Sequence, residues 1–149
     1  MFKRILVPVD GSETSTKALV AALQLARESG GSVRVLHAID ELAYFSGFEY
    51  PAEVLDQVID WGKKCIADAL EVARSSGVPA DSRLLDVPGR RLGDVVAEEA
   101  RAWDADLVVV GTHGRRGVSR ALLGSGAEQV IRLAPVPVLV IRAPEADAA

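Results

Sequence analysis

Apolar residues along the chain follow two alternating patterns. Compact apolar runs bounded by turn residues predict five strands, which cover residues 3–9, 32–38, 81–87, 107–110 and 136–141. Between these runs, apolar residues recur at helical spacing. The helices are expected from Ser15 to the Gly30–Gly31 pair, from Pro51 to Gly77, from Leu92 to Trp103 and from Ala127 to Pro135. Strands that alternate with helices predict an α/β fold, an open and mostly parallel sheet with helices on both faces. With no internal repeat or linker, we expect one domain over residues 1–149.

Composition and charge exclude several classes of protein. A net charge of −4 gives no support to a protein that binds nucleic acid by neutralising its phosphates. No stretch approaches the ~20 apolar residues of a membrane span. The first apolar run is interrupted at Pro8, Asp10 and Gly11, which argues against a signal peptide. Cys65 is the only cysteine and lies on an apolar helix stripe, as a small core residue in a reducing compartment would. We therefore expect a cytoplasmic protein without membrane insertion.

Two segments that leave predicted strands have the composition of a binding site. In open parallel sheets, ligands bind beyond the carboxyl ends of the strands. The first segment is Pro8–Ser12, and the second is the glycine-rich stretch Gly111–Gly126. Glycines permit backbone conformations that point N–H groups at an anion. The pair Gly124–Ser125 stands at the start of a helix, where free N–H groups favour phosphate, and Arg115–Arg116 adds positive charge. Together these elements suit a polyphosphate.

The spacing of the glycines distinguishes among phosphate-binding families. The chain has no P-loop motif, and no Gly-x-Gly-x-x-Gly follows the first strand. Gly111, Gly114, Gly124 and Ser125 instead form a Gly-x2-Gly-x9-Gly-Ser pattern. This pattern resembles the ATP-binding signature of the universal stress protein family. The resemblance extends over nearly the whole chain, since residues 5–12, 36–40 and 135–140 are similar to the family's first strand, second strand end and closing strand.

The resemblance implies a specific fold, ligand and assembly. The fold would be a five-stranded parallel sheet of strand order 3-2-1-4-5, of the adenine-nucleotide alpha-hydrolase-like type. The ligand would be ATP, with Mg²⁺ or Mn²⁺ held in part by Asp10. The implied nucleotide-binding residues are Pro8, Val9, Asp10, Ala38, Gly111, Thr112, His113, Gly114, Arg115, Arg116, Gly117, Gly124, Ser125 and Gly126. With that strand order the apolar last strand, Val136–Ile141, would lie at the edge of the sheet, where an unpaired strand is an aggregation hazard, so we expect a homodimer in which this strand meets its copy. Ala38 replaces a larger aliphatic residue and Gly126 a valine, so the adenine pocket would be slightly looser and the helix start more flexible.

Several of these residues also have simpler interpretations. Asp10 would serve equally as a helix cap, and His113 as a surface loop residue rather than a general base. His37 is expected to be packed or hydrogen-bonded at a strand end. Arg115–Arg116 would be solvated charges in the simpler interpretation. The aromatic cluster Tyr44–Tyr50 would cover either the pocket or a partner surface, and both alternatives stay open.

Three functions are compatible with the sequence. The first is an ATP-binding regulator or sensor in the stress response, which acts on an unknown protein partner. The second is an enzyme, an ATPase or a nucleotidyl-transfer catalyst. The third is a nucleotide-free dimeric interaction protein. The intact glycine pattern counts against the third, and no catalytic lysine or acid–base pair accompanies the loop to support the second. We therefore expect ATP binding with at most slow hydrolysis.

Overall fold

The computed structural model describes residues 1–39, 52–87, 89–112 and 123–142. These residues form five strands and four helices in alternation. In chain order they are β1 (Arg4–Pro8), α1 (Glu13–Ser29), β2 (Ser32–Ile39), α2 (Ala52–Ser76), β3 (Ala80–Asp86), α3 (Leu92–Trp103), β4 (Leu107–Gly111), α4 (Ser125–Leu133) and β5 (Val138–Ile141). No helix in this part of the chain has the length and apolar character needed to span a membrane.

The five strands form one parallel sheet in the order β3-β2-β1-β4-β5. The predicted fold class and strand order are therefore confirmed. The chain moves outward from β1 to β3, then crosses to the other side of β1 to form β4 and β5. The direction of winding changes between β1 and β4, so their carboxyl ends border the crevice in which such sheets bind ligands.

The last strand is shorter than predicted. It begins at Val138, where pairing with β4 starts, and not at Val136. Pro137 lacks an N–H group and contributes only its carbonyl, which accepts a hydrogen bond from the Val108 N–H at 3.0 Å. The first strand is also shorter, Arg4–Pro8 instead of 3–9. Both shortenings leave the position of β5 at the edge of the sheet unchanged.

The helices cover the two faces of the sheet in pairs. On one face, α1 and α2 pack over the odd-numbered core residues of β1, such as Ile5 and Val7. On the other face, α3 and α4 pack over Leu6 of β1 and Val108 of β4. Ile131 is one of the apolar residues at helical spacing in the last helix, but its side chain is 44% exposed. Cys65 is buried, as predicted.

A charged cluster lies at the amino end of the sheet, away from the crevice. The guanidinium of Arg34 binds both carboxylate oxygens of Asp81 at 2.8 Å and donates to the buried Glu99 at 2.9 Å. The hydrogen bond from Arg34 lowers the pKa of Asp81. The ring of Trp103 lies 4.3 Å from the Arg4 guanidinium carbon and 4.8 Å from that of Arg34. These contacts tie α3 to the start of β1, β2 and β3.

Candidate functional site

The turn after β1 is held by its own side chains. Asp10 Oδ1 accepts a hydrogen bond from the Ser12 N–H at 2.9 Å, which is the geometry of an Asx turn. Gly11 between them has a φ of 83°, a conformation that other residues rarely adopt. Ser12 is the N-cap of α1, and its Oγ accepts from the Ser15 N–H at 3.2 Å. Ser12 rather than Asp10 therefore caps the helix, and Asp10 orders the turn.

The end of β4 lies directly against the start of α1. A Cβ atom on Gly111 would lie 2.9 Å from three atoms of Thr14, including its backbone carbonyl carbon. Only glycine permits this approach, because a backbone atom cannot move aside as the end of a side chain can. The two predicted binding segments are thereby brought together in space. Gly111 is required here for close packing of strand on helix.

The start of α4 closes the same edge of the sheet. The Gly124 N–H donates to the Thr112 carbonyl at 2.6 Å, and the Thr112 N–H donates to Ile141 at 2.9 Å. Gly124 is the N-cap of α4 and makes no side-chain capping bond. The first hydrogen bond within the helix reaches Gly124 from Glu128. The preceding N–H groups, those of residues 125–127, have no acceptor inside the helix and are available to an anion.

The end of β2 supplies a buried histidine. His37 is 8% exposed, and its Nδ1 lies 2.7 Å from the carbonyl oxygen of Val9. A carbonyl oxygen can only accept, so His37 Nδ1 carries the proton and donates. The Val9 N–H donates to the Leu36 carbonyl at 2.8 Å. Both polar backbone groups of Val9 are therefore bound by β2, one through backbone and one through the imidazole.

Helix α2 packs against the site through two adjacent residues. A Cβ on Gly11 would lie 2.6 Å from Trp61 Cζ2, so the indole covers the turn after β1. A Cβ on Gly62 would lie 2.9 Å from His37 Cδ2 and 3.2 Å from Ile39 Cδ1. Gly62 thus forms a notch in the helix that receives the histidine ring. One turn of α2 contacts both the Asp10 turn and His37.

The comparison with protein families decides the relationship of the chain. The sequence model of the universal stress protein family matches residues 1–142. The chain belongs to this family. It is 32% identical to universal stress protein MJ0531 of Methanocaldococcus jannaschii over 151 aligned positions, which cover 99% of this chain and 86% of that protein.

Solved structures of universal stress proteins share the fold. A family member from Burkholderia pseudomallei is 31% identical, with 95% of this chain and 97% of that chain covered and a TM-score of 0.76. A universal stress protein in complex with cAMP is 26% identical, with 96% and 99% covered and a TM-score of 0.72. The protein from Archaeoglobus fulgidus in complex with dAMP is 25% identical, with 95% and 98% covered and a TM-score of 0.67.

The structure of this universal stress protein brings together nine of its predicted site residues. At or just beyond the carboxyl ends of β1, β2 and β4 and at the start of α4 lie Pro8, Val9, Asp10, Ala38, Gly111, Thr112, Gly124, Ser125 and Gly126. The other five, His113, Gly114, Arg115, Arg116 and Gly117, lie outside the described residues, as do Tyr44–Tyr50. Gly126, expected to loosen the helix start, is inside α4, where a Cβ would lie 3.0 Å from Leu92 Cδ2.

A divalent cation at this edge of the sheet would need some of its ligands from the phosphates of a bound nucleotide. Among the described residues, no group of three or more histidine, cysteine, aspartate or glutamate side chains forms a metal site. Asp10 Oδ1 already accepts from the Ser12 N–H. Mg²⁺ is commonly held by one or two carboxylates together with substrate phosphates. The residues therefore fit a phosphate-bridged ion beside Asp10.

Sequence reasoning did not identify the contacts of α2 with the site. Neither Trp61 nor Gly62 was among the predicted site residues. A signal was present, since a single glycine within a helical pattern costs about 1 kcal/mol relative to alanine and calls for a packing reason. A glycine of this kind indicates that another part of the chain approaches the helix closely, but it does not indicate which residue does so. The partner, His37, is identified only when β2 is placed beneath the helix.

Proposed function

We propose that this universal stress protein binds ATP, with Mg²⁺ or Mn²⁺, at the edge of the sheet formed by β1, β2, β4 and α4. The observation that carries the proposal is the contact between Gly111 and Thr14, which brings the end of β4 against the start of α1, the helix that follows β1, at the change of winding direction. Relatives of the same fold in complex with cAMP and with dAMP support an adenine nucleotide as the ligand.

Each part of the nucleotide has a chemically suitable counterpart. The N–H groups at the start of α4 and the Ser125 hydroxyl would receive phosphate oxygens. Asp10 would contact a metal ion bridged to the phosphates. Pro8, Val9 and Ala38 would border the adenine and ribose. The stretch Gly111–Gly117 would wrap the ribose and phosphates.

We further propose that bound ATP acts as a regulatory signal in the stress response. The protein would be cytoplasmic and would act on a partner protein as a homodimer. A nucleotide shifts a conformational equilibrium only by its differential affinity for the two states. The 112–123 segment, between β4 and α4, is the segment whose conformation we expect ATP to bias.

Calorimetric titration with ATP tests the proposed site. We expect Gly114→Val to abolish binding, because a β-branched side chain would bar the positive φ that a glycine loop uses to point its N–H groups at phosphate. The matched control is Gly77→Val, which introduces the same side chain at a φ of 76° beyond the end of α2, at the amino side of the sheet. This control should lose stability but keep its affinity for ATP. Unchanged affinity in Gly114→Val would refute the placement of the site.

A further inference from the structure

The His37 side chain makes a hydrogen bond that regular strand pairing would assign to a backbone N–H group. In parallel pairing, alternate residues of a strand bond to its two neighbours. Leu36 bonds to β1, since its carbonyl accepts from the Val9 N–H, and Ile39 bonds to β3, since its carbonyl accepts from the Val87 N–H. Ala38 follows the alternation of Leu36, so its N–H group is directed toward β1. Continued pairing would join the Ala38 N–H to the Val9 carbonyl.

That backbone bond is not formed. The Val9 carbonyl accepts instead from His37 Nδ1 at 2.7 Å. Among the described residues, the Ala38 N–H donates no hydrogen bond to the segment that follows β1. The regular pairing of β1 with β2 ends at Pro8 and Leu36. The imidazole thus satisfies the last carbonyl of β1, and the Ala38 N–H remains as a donor at the crevice.

The surroundings hold the ring in this role. His37 is buried beneath α2, and its Cδ2 edge lies in the notch at Gly62. On the opposite side of the sheet, Ala38 packs with the α3–α4 core. The close approach of α2 at Gly62 restricts rotation of the buried imidazole away from Val9. The Val9 carbonyl precedes Asp10, so the hydrogen bond also fixes the start of the Asx turn.

We propose that His37 is a positioning residue for the nucleotide base. Its Nδ1–H binds the Val9 carbonyl and thereby keeps the Ala38 N–H available to an acceptor nitrogen of adenine. The inference rests on the proposed function, because it explains how the part of that site that would bind the base is held in place. His37 itself does not contact the ligand; it acts through Val9 and Ala38.

Two substitutions separate positioning from simple packing. His37→Leu removes the donor, and we expect its affinity for ATP to fall roughly tenfold, the upper end of what one hydrogen bond contributes. His37→Asn places an amide N–H near the position of Nδ1 and should keep the affinity within about threefold. Affinity for inorganic tripolyphosphate, which lacks the base and would use the α4 N-terminus, should be the same in all three proteins. Unchanged ATP affinity in His37→Leu would overturn the proposal, as would an equal loss for tripolyphosphate.

A measurement on the unmodified protein decides the case if His37→Leu does not fold. Long-range proton–nitrogen NMR spectra identify which ring nitrogen carries the proton. We expect Nδ1 to be protonated, and slower hydrogen exchange of the Ala38 amide once ATP is bound. A ring protonated on Nε2 alone would overturn the proposal, because that tautomer cannot donate to Val9. Failure of the unmodified protein to bind ATP would instead refute the proposed function, and the tautomer, measured without ligand, would still report on the hydrogen bond.

Discussion

Replacing Gly62 with alanine sets two physical effects against each other. Gly62 lies inside α2, and alanine in a helix interior is favoured over glycine by about 1 kcal/mol. The new Cβ would lie 2.9 Å from His37 Cδ2, 3.1 Å from Leu84 Cδ1 and 3.2 Å from Ile39 Cδ1. The leucine and isoleucine contacts involve the ends of flexible side chains. His37 cannot withdraw without lengthening its bond to Val9.

The packing term should exceed the propensity term. Insertion of a methyl group into a close-packed site costs about 1–3 kcal/mol, so after the gain in helix propensity we expect Gly62→Ala to lose about 1 kcal/mol of unfolding free energy. Urea unfolding measures this as a lower midpoint at unchanged slope. In a His37→Ala background the tightest contact is absent, and the cost of Gly62→Ala should shrink. A higher midpoint for Gly62→Ala in the native background would show that the helix does not press on His37.

Two further predictions concern assembly and turnover. Because β5 is an edge strand and Leu139 is 37% exposed on it, we expect light scattering to show a dimer through Val136–Ile141 at micromolar concentration. Leu139→Lys should give a monomer, whereas Val20→Lys, at a 51% exposed position on α1, should remain dimeric; a monomer in the native protein with ATP present would contradict this. ATP hydrolysis on extensively purified protein should stay below roughly one turnover per second, the low end of ordinary enzyme rates. A faster rate that disappears in Gly114→Val would identify an enzyme.

The sequence predicted the elements whose signals are local. The unbroken apolar run Leu107–Val110 is buried on both faces of the sheet, and Gly124 and Ser125 are the N-cap and the first residue of α4. The order of the strands came from the resemblance to a family, since periodicity contains no information about neighbours in a sheet. The predicted start of β5 at Val136 was wrong, because Pro137 lacks an N–H group and the pairing with β4 begins only at Val138.

Contacts between distant segments were beyond prediction for a physical reason. The bond from His37 to Val9 joins residues 28 positions apart and depends on the register of β1 against β2. A shift of that register by one residue would turn His37 to the other face of the sheet. The exposure of Ile131 likewise depends on the rotation of α4 about its axis. Apolar spacing predicts that a helix has a buried face, but the packing partners fix where that face ends.

The position of α2 suggests how binding of a nucleotide would affect a surface away from the site. Trp61 covers the Gly11 turn, while Gly62, the next residue, receives His37. A ligand that engages Asp10 and the Ala38 N–H would therefore act on two structures that one helical turn contacts together. Close-packed contacts of this kind transmit small displacements, because no free volume remains to absorb them. A change at the proposed nucleotide site would thus displace α2, whose outer surface includes the 36% exposed Val72. The proposed regulatory role would require this coupling to differ between the occupied and empty states, and the Gly62 and His37 variants would alter the contacts that carry it.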